Sequence, residues 1–205
     1  MITDINLLSS LGGIVPGKIS SEEFADTTKV STNSAINMME WWHQRGVGDV
    51  CDDCNYVYNT GSRLEAGIIL IQRGISIRDV TTYLDWRDFE GLTGCILESE
   101  GFDVQYNLMM KSPRSEIDVV GIKMNTALLI DCKHWRRDVP YTVATKQTLR
   151  AEQWTTLHKM TAVPVIVTIH QERFTMHDVP IIPISKFRSF TEDFFGNIEH
   201  IKSIK

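Results

Sequence analysis

The sequence is poor in cysteine and in long apolar runs, and each shortage excludes a class of protein. Four cysteines among 205 residues, of which only Cys51 and Cys54 are close together, do not make a disulfide framework. The longest apolar runs, such as residues 66–71, are far too short to cross a bilayer. The first residues show no basic flank followed by an apolar core, which a secretion signal would have. We therefore expect a cytoplasmic protein that does not associate with a membrane.

Three further motifs are missing or incomplete. No glycine-rich loop follows a strand, so a Rossmann-type nucleotide site has no support, and no Gly-x-Ser-x-Gly elbow supports a serine hydrolase. Cys51 and Cys54 have the spacing of half a zinc site, and His43 could add a ligand, but no second cysteine pair follows. We therefore interpret residues 51–54 as a hairpin loop and do not expect Zn²⁺ there.

The charges are unevenly distributed along a chain of ordinary globular composition. The net charge is −5, with 42% hydrophobic and 23% charged residues. Residues 1–80 contain six basic and ten acidic side chains, whereas residues 111–159 contain nine basic and five acidic ones. A basic surround of an acidic site would suit a phosphodiester substrate, and an ordinary mixed-charge surface is the alternative interpretation.

Two apolar runs carry charges in a pattern that indicates a metal site. Residues 115–121 and 127–133 are predicted to be neighbouring strands. Asp131 and Lys133 are two residues apart and share one face, while Cys132 points the opposite way, and Glu116 and Asp118 likewise share a face. Charges on a buried strand are costly unless they are paired or bind a metal. Carboxylates with a lysine beside them are the minimal set for metal-dependent phosphodiester cleavage.

The N-terminal residues 1–62 are predicted to form a small α+β domain. Ser20 or Ser21 can begin a short helix, Thr32 or Asn33 a second helix to about Arg45, and residues 47–58 a hairpin. Residues 23–36 resemble a helix-turn-helix, and the hairpin would then be the wing of a winged helix. The second helix carries polar residues but no Lys or Arg before Arg45. DNA reading and docking of a partner protein therefore both remain open.

A helical connector over residues 63–83 and a second domain over residues 84–205 are predicted to follow. The second domain has the pattern of a mixed sheet flanked by helices, in the order αβββαββ. Its helices are predicted at 85–100 and 143–160, and its strands at 104–108, 115–123, 126–133, 163–169 and 181–184. In the second helix, Leu149, Trp154 and Leu157 are the expected core contacts.

This order, with its residues, resembles the PD-(D/E)XK nuclease superfamily. The likeness is to archaeal Holliday junction resolvases and Mrr-type restriction endonucleases, and it spans about residues 84–186. The shared motifs are residues 88–90 on the first helix, 101–104 leading into the sheet, 116–118 and 131–133. The resemblance implies an α/β fold with a restriction-endonuclease-like core, preceded here by the winged-helix-like domain.

The resemblance also implies roles for the motif residues. Asp118 and Asp131 would be metal ligands, Lys133 would position or help deprotonate the attacking water, and Glu90 would contact the metal through water. The main-chain carbonyl of Cys132 is expected as a further ligand of Mg²⁺ or Mn²⁺. Ile117 replaces the proline of the superfamily motif, and Glu116 is an extra acid that could face the same site.

Residues outside these motifs are expected to support the site or to contact DNA. Gln153 on the downstream helix is the preferred additional site residue. His134, which follows Lys133, is expected to orient the site or to be structural. The expected DNA-binding residues are Lys146, Arg150, Arg114 and Arg136.

The sequence therefore predicts a Mg²⁺- or Mn²⁺-dependent DNA endonuclease acting in repair, recombination or restriction. A homodimer is expected, because related nucleases cut two strands with two sites, and a repair protein or helicase could deliver the substrate. The alternative is a DNA-binding or assembly protein, such as a winged-helix regulator, whose nuclease core is weak or inactive.

Overall fold

The computed structural model describes residues 2–52, 55–111, 113–135, 138–170 and 174–205, with Asp52 described by its backbone alone. The chain forms two compact units, Met1–Asp88 and Phe89–Lys205. Residues 63–83, predicted as a connector, fall within the first unit. Among the described residues, no helix is both long and apolar enough to span a membrane.

The first unit contains short helices and a small antiparallel sheet. Its sheet has the strand order β1-β3-β2, with both neighbouring pairs antiparallel. Its elements are α1 (Asp4–Ser10), β1 (Gly17–Ser20), α2 (Ser21–Thr28), α3 (Thr32–His43), β2 (Asp49–Asp52), β3 (Asn55–Tyr58), α4 (Ser62–Gln72) and α5 (Ile77–Thr81). The predicted hairpin is thus present as β2 and β3, while the winged-helix interpretation stays a prediction.

Local capping explains where the helices of the first unit begin. Ser20 and Glu23 form a reciprocal capping box at the start of α2, and Ser31 accepts a hydrogen bond from the backbone of Ser34 at the start of α3. Helix α3 buries Trp42, whose indole N–H donates to Ser10 Oγ at 2.8 Å. The core of this unit therefore satisfies its largest polar aromatic group internally.

The second unit is a six-stranded mixed sheet with the strand order β4-β5-β6-β7-β9-β8. Strands β4, β5 and β6 are antiparallel neighbours, β6, β7 and β9 are parallel, and β8 is antiparallel to β9. The elements from the unit boundary onward are α6 (Trp86–Ser99), β4 (Asp103–Lys111), β5 (Arg114–Lys123), β6 (Thr126–Lys133), α7 (Tyr141–His158), β7 (Thr161–Thr168), β8 (Thr175–Met176), β9 (Val179–Pro183), α8 (Ile184–Glu192) and α9 (Phe194–Asn197). The predicted mixed sheet flanked by helices is confirmed.

A two-residue turn joins β5 to β6. Lys123 pairs with Thr126, and Met124 and Asn125 between them both have positive φ, at 49° and 57°. Positive φ at both central residues is typical of a type I′ turn, whose twist matches that of the flanking strands. This turn fixes the register in which Val119 lies opposite Ile130.

Helix α7 packs on the sheet through small and polar residues rather than through leucines. Its buried residues are Ala144, Gln147, Ala151 and Trp154. The prediction of Leu149 and Leu157 as core contacts is wrong, because both side chains are 57% exposed, whereas Trp154 is confirmed. The spacing of the buried residues is that of one helical face, which small side chains bring close to β6 and β7.

Thr168 at the end of β7 has a buried hydroxyl that makes no hydrogen bond with the part of the chain that the structure describes. Because a buried unsatisfied polar group costs about 1–3 kcal/mol, we expect Thr168→Val to raise the free energy of unfolding by about 1 kcal/mol. The matched control is Thr93→Val, which removes a buried hydroxyl that donates to Phe89 O at 2.9 Å and should lower stability. Urea unfolding measures the change in the free energy of unfolding for each variant. A lower free energy of unfolding in Thr168→Val would contradict the prediction for Thr168.

Candidate active site

Strand β6 carries the candidate site at its carboxyl end. Residues 127–130 are fully buried, as expected for a strand between two neighbours. Asp131 follows at only 3% exposure, and Lys133 is half-buried. Strand β5 lies antiparallel on one side of β6, and β7 lies parallel on the other. A carboxylate this deep in the sheet needs partners that offset its desolvation.

Asp118 reaches this end of β6 from β5. It lies one residue beyond the pair Val119–Ile130, and its Oδ2 accepts a hydrogen bond from the main-chain N–H of Cys132 at 2.7 Å. Burial raises the pKa of Asp118 above its ordinary value, and the negative charge of Asp131 raises it further. A carboxylate such as Asp118, whose charged form is disfavoured by burial and by a neighbouring negative charge, gains from an added cation.

Two side-chain cations contact the carboxylate of Asp131, one at each oxygen. Arg150 Nη1 donates to Oδ1 at 2.7 Å, and Lys133 Nζ lies 2.5 Å from Oδ2. Oδ2 is buried, and no well-aligned hydrogen bond from the described residues reaches it, so the Lys133 contact is an ion pair with poor hydrogen-bond geometry. The ring centroid of Trp135 lies 5.7 Å from Lys133 Nζ. Asp131 and Lys133, which were expected to share a strand face, are thus in contact at the end of β6.

Gln147 on α7 completes this cluster, and the sequence did not point to it. Its side chain is fully buried, and Nε2 donates to Leu129 O at 2.6 Å and to Val165 O at 3.4 Å. Its Oε1 accepts a hydrogen bond from Arg150 Nη1 at 2.9 Å. A glutamine on a helix usually lies at the surface, so only the spacing of Gln147 with the buried Ala144 and Ala151 could have indicated its burial.

Glu90 and Cys132 lie on the α6 side of β6. Glu90 is buried on α6, and the Cys132 thiol contacts Thr93 Oγ1 of the same helix at 3.7 Å. Burial raises the pKa of the Cys132 thiol well above its usual range, and the charges of Asp118, Glu90 and Asp131 add to this. The three predicted carboxylates thus all act on one thiol, which places them in the same region of the unit.

The remaining predicted residues are spread around the unit. Glu116, Arg114 and Lys146 are exposed. Gln153 donates to Pro113 O at 2.9 Å and accepts from Ser115, so it ties α7 to the chain between β4 and β5, while Arg150 contacts Asp131. His134 packs its ring against Phe89 at 5.3 Å, as a structural residue would. The predicted residues Arg136 and Cys54 lie outside the described residues.

The donor set at the end of β6 fits a hard divalent cation. Asp118 and Asp131 supply carboxylate oxygens, and Asp131 Oδ2 is buried without an aligned hydrogen bond. Among the described residues, no group of three or more His, Cys, Asp and Glu side chains is gathered to hold an ion. Mg²⁺ commonly takes one or two carboxylates and completes its shell with water and substrate phosphates, so two carboxylates suffice for it.

The mixed sheet flanked by helices is consistent with a restriction-endonuclease-like core, and comparison with known proteins agrees. Residues 81–171 match the family model Mrr_cat, described as a restriction endonuclease. This match confirms, for residues 81–171, the resemblance to PD-(D/E)XK nucleases seen in the sequence. The match does not include residues 1–80, where the winged helix is predicted.

Relatives and solved structures resemble the chain over different lengths. An uncharacterized protein from Archaeoglobus fulgidus is 29% identical over 104 residues, which cover 47% of this chain and 81% of that protein. A crystal structure of a protein of unknown function, AF1548, has a TM-score of 0.34 and 16% identity over 54% of each chain. Protein VC1899 from Vibrio cholerae has a TM-score of 0.44 and 12% identity over 96% of this chain and 53% of its own. The chain thus spans about half the length of these two proteins.

Proposed function

We propose that this protein is a Mg²⁺- or Mn²⁺-dependent DNA endonuclease. The proposal depends on one observation: Asp118 on β5 lies beside the end of β6, where Asp131 and Lys133 are in contact. They do so inside the segment that matches the restriction endonuclease family. A buried carboxylate and a half-buried one, with a lysine beside them, suit metal-dependent phosphodiester hydrolysis.

Asp118 and Asp131 would hold the ion, with the carbonyl of Cys132 as a further ligand and Glu90 contacting it through water. The ion would supply Lewis acidity and lower the pKa of a water molecule. The N–H of Cys132 donates to Asp118 Oδ2, and Arg150 donates to Asp131 Oδ1, so each carboxylate has one oxygen held by a hydrogen bond. Such fixed ligands need little rearrangement when a cation binds.

Lys133 would orient the attacking water and offset charge on the scissile phosphate. Its ammonium lies 2.5 Å from Asp131 Oδ2, which keeps it beside the carboxylates. A lysine ammonium has three donors on a flexible stem, so it can hold a water and a phosphate oxygen together. This role requires no change in the position of the strand.

The polyanionic substrate would be held by the surrounding cations. Lys146 and Arg114 are exposed on α7 and β5, where they could contact phosphates, and Arg136 is a further candidate from the sequence. The first unit would bind DNA or a partner protein, and two copies of the chain would cut the two strands. A role in repair, recombination or restriction in the cytoplasm, with a repair protein or helicase as partner, completes the proposal.

The test is cleavage of labelled linear duplex, single-stranded, flap and four-way junction DNA, with Mg²⁺, Mn²⁺ or EDTA. We expect cutting of at least one substrate with a divalent ion and no cutting in EDTA. The preferred substrate would identify the DNA structure that the protein recognises. Cutting that persists in EDTA, or the absence of cutting on every substrate, would contradict the proposal.

A DNA-binding or assembly protein with a weak nuclease core is the second candidate, and one observation favours it. Both oxygens of Asp131 are contacted by internal cations, Lys133 and Arg150, which compete with a divalent ion. Gel-shift binding to the same DNA panel without cleavage in any divalent ion would support this candidate. The complete set of carboxylates and lysine makes the nuclease the better supported of the two.

A further inference from the structure

We propose that Gln147 is a positioning residue for divalent-ion binding, acting through Arg150 on the carboxylate of Asp131. The inference depends on the proposed function, because it concerns the ion site of the nuclease. Gln147 contacts two main-chain carbonyls and Arg150, and Arg150 contacts Asp131. The chain of hydrogen bonds thus runs from the sheet to the carboxylate.

The first link holds the glutamine to the sheet. Gln147 Nε2 donates to Leu129 O of β6 and to Val165 O of β7, and the side chain is fully buried. Because Nε2 donates to a carbonyl on each of the two strands, the amide oxygen Oε1 is directed toward Arg150. A fully buried amide that moved would leave unsatisfied polar groups, so its orientation is strongly held.

The second link holds the arginine, and the third holds the aspartate. Arg150 Nη1 is shared between Gln147 Oε1 at 2.9 Å and Asp131 Oδ1 at 2.7 Å. Gln147 and Arg150 are three residues apart on α7, so they lie on the same helical face. Gln147 therefore holds the guanidinium of Arg150 in place while the guanidinium donates to Oδ1 of Asp131.

The consequence is a carboxylate whose rotation is fixed. With Oδ1 committed to Arg150, Oδ2 is the oxygen of Asp131 that remains without an aligned hydrogen bond, beside Lys133. A divalent ion would bind that oxygen in competition with Lys133. Partners of this kind, which orient a metal ligand without touching the metal, commonly change metal affinity 10- to 100-fold when they are removed.

A substitution that leaves the net charge unchanged distinguishes the positioning role from the direct effect of charge on cation binding. Removing Arg150 outright would delete a positive charge and thereby favour cation binding, which would mask a loss of positioning. Gln147→Met keeps the charge and the approximate volume while removing both the donor and the acceptor. We expect this variant to bind Mn²⁺ about tenfold more weakly or worse, measured by calorimetry on the full chain with Mn²⁺ alone.

Two further measurements make the result specific. Ala151→Gly, at a buried position one turn along α7, weakens the helix without removing a hydrogen bond among Gln147, Arg150 and Asp131. The Mn²⁺ affinity of this variant should therefore equal that of the wild type. If DNA cleavage by Gln147→Met is lost at low Mn²⁺, saturating Mn²⁺ should restore it, which a damaged fold would not allow. Mn²⁺ affinity in Gln147→Met equal to that of the wild type would overturn the inference.

Arg150→Lys decides the matter if Gln147→Met does not fold. The lysine keeps the charge but loses the planar fork that bridges Gln147 and Asp131, so we expect a similar fall in Mn²⁺ affinity. Unchanged affinity in this variant would equally overturn the inference. Asp131→Asn distinguishes failure of the ion site from failure of the positioning role. If this variant binds Mn²⁺ as tightly as the wild type, Asp131 is not an ion ligand, and both proposals are overturned.

Discussion

Asp118→Asn is expected to reduce metal-dependent DNA cleavage by about 10³-fold or more, which corresponds to about 4 kcal/mol of transition-state stabilisation. Asparagine keeps an oxygen that can accept the N–H of Cys132, so the local fold should persist. It lacks the charge that binds the ion. In the folded wild type, burial and the negative charge of Asp131 raise the pKa of Asp118, so the charged form of Asp118 is destabilising at neutral pH. The substitution removes that charge. The variant should therefore be as stable as the wild type at neutral pH, or more stable.

Single-turnover cleavage and urea unfolding of the same preparation test both halves of this prediction. Asp103→Asn is the matched control, because Asp103 is an exposed carboxylate on β4, and its cleavage rate should stay within about twofold of the wild type. If Asp118→Asn retains a cleavage rate within tenfold of the wild type, Asp118 is not an ion ligand. A large loss of stability would instead show that the charge of Asp118 is structural. Activity lost with stability retained is the pattern expected of a functional carboxylate.

Trp154→Ala is expected to destabilise the second unit by about 3–5 kcal/mol. The indole is 1% exposed, packs in the cluster that includes Ile117 and Leu129, and stacks on His158 at 3.9 Å between ring centroids. Its removal would leave a cavity between α7 and the sheet that small neighbours such as Ala151 cannot fill. Chemical denaturation followed by circular dichroism measures the loss.

Leu157→Ala, on the same helix, gives the contrast for this measurement. Leu157 is 57% exposed, so its truncation should cost less than about 1 kcal/mol. The two substitutions are three residues apart and both remove an apolar side chain, so they differ mainly in burial. Equal costs would mean that α7 packs through a different face from the one the structure shows.

Continuous apolar strands were the most predictable part of the fold. Strand β6 was predicted at 126–133 and observed there, because an apolar run with polar ends leaves little freedom in its bounds. The last strand was predicted at 181–184, but β9 begins at Val179 and includes Pro180 and Pro183. Strand β8 has two residues, too few for any periodicity to be detected, and helices α8 and α9 were not predicted.

In the candidate site, too, the residues marked by sequence spacing were predicted, and the residue whose role depends on helix packing was not. Asp118, Asp131 and Lys133 stand out because charges in apolar strands are rare and their period of two fixes a face. Gln147 was not recognised, because its burial depends on small residues on its face of α7, and Leu149 and Leu157 are the more hydrophobic side chains of that helix. Which face of an amphipathic helix meets a sheet is settled by close approach as well as by hydrophobicity.

The two-residue turn at Met124 and Asn125 places a constraint on sequence change far from the chemistry. It lies about 20 Å from Asp131 along β6, at roughly 3.3 Å per residue. Yet it sets which residue of β5 faces the end of β6. A single inserted or deleted residue that shifted this register would turn Asp118 to the opposite face of the sheet. Evolutionary drift at this turn should therefore proceed by substitution at constant length, even though the turn lies at the opposite end of β6 from Asp131.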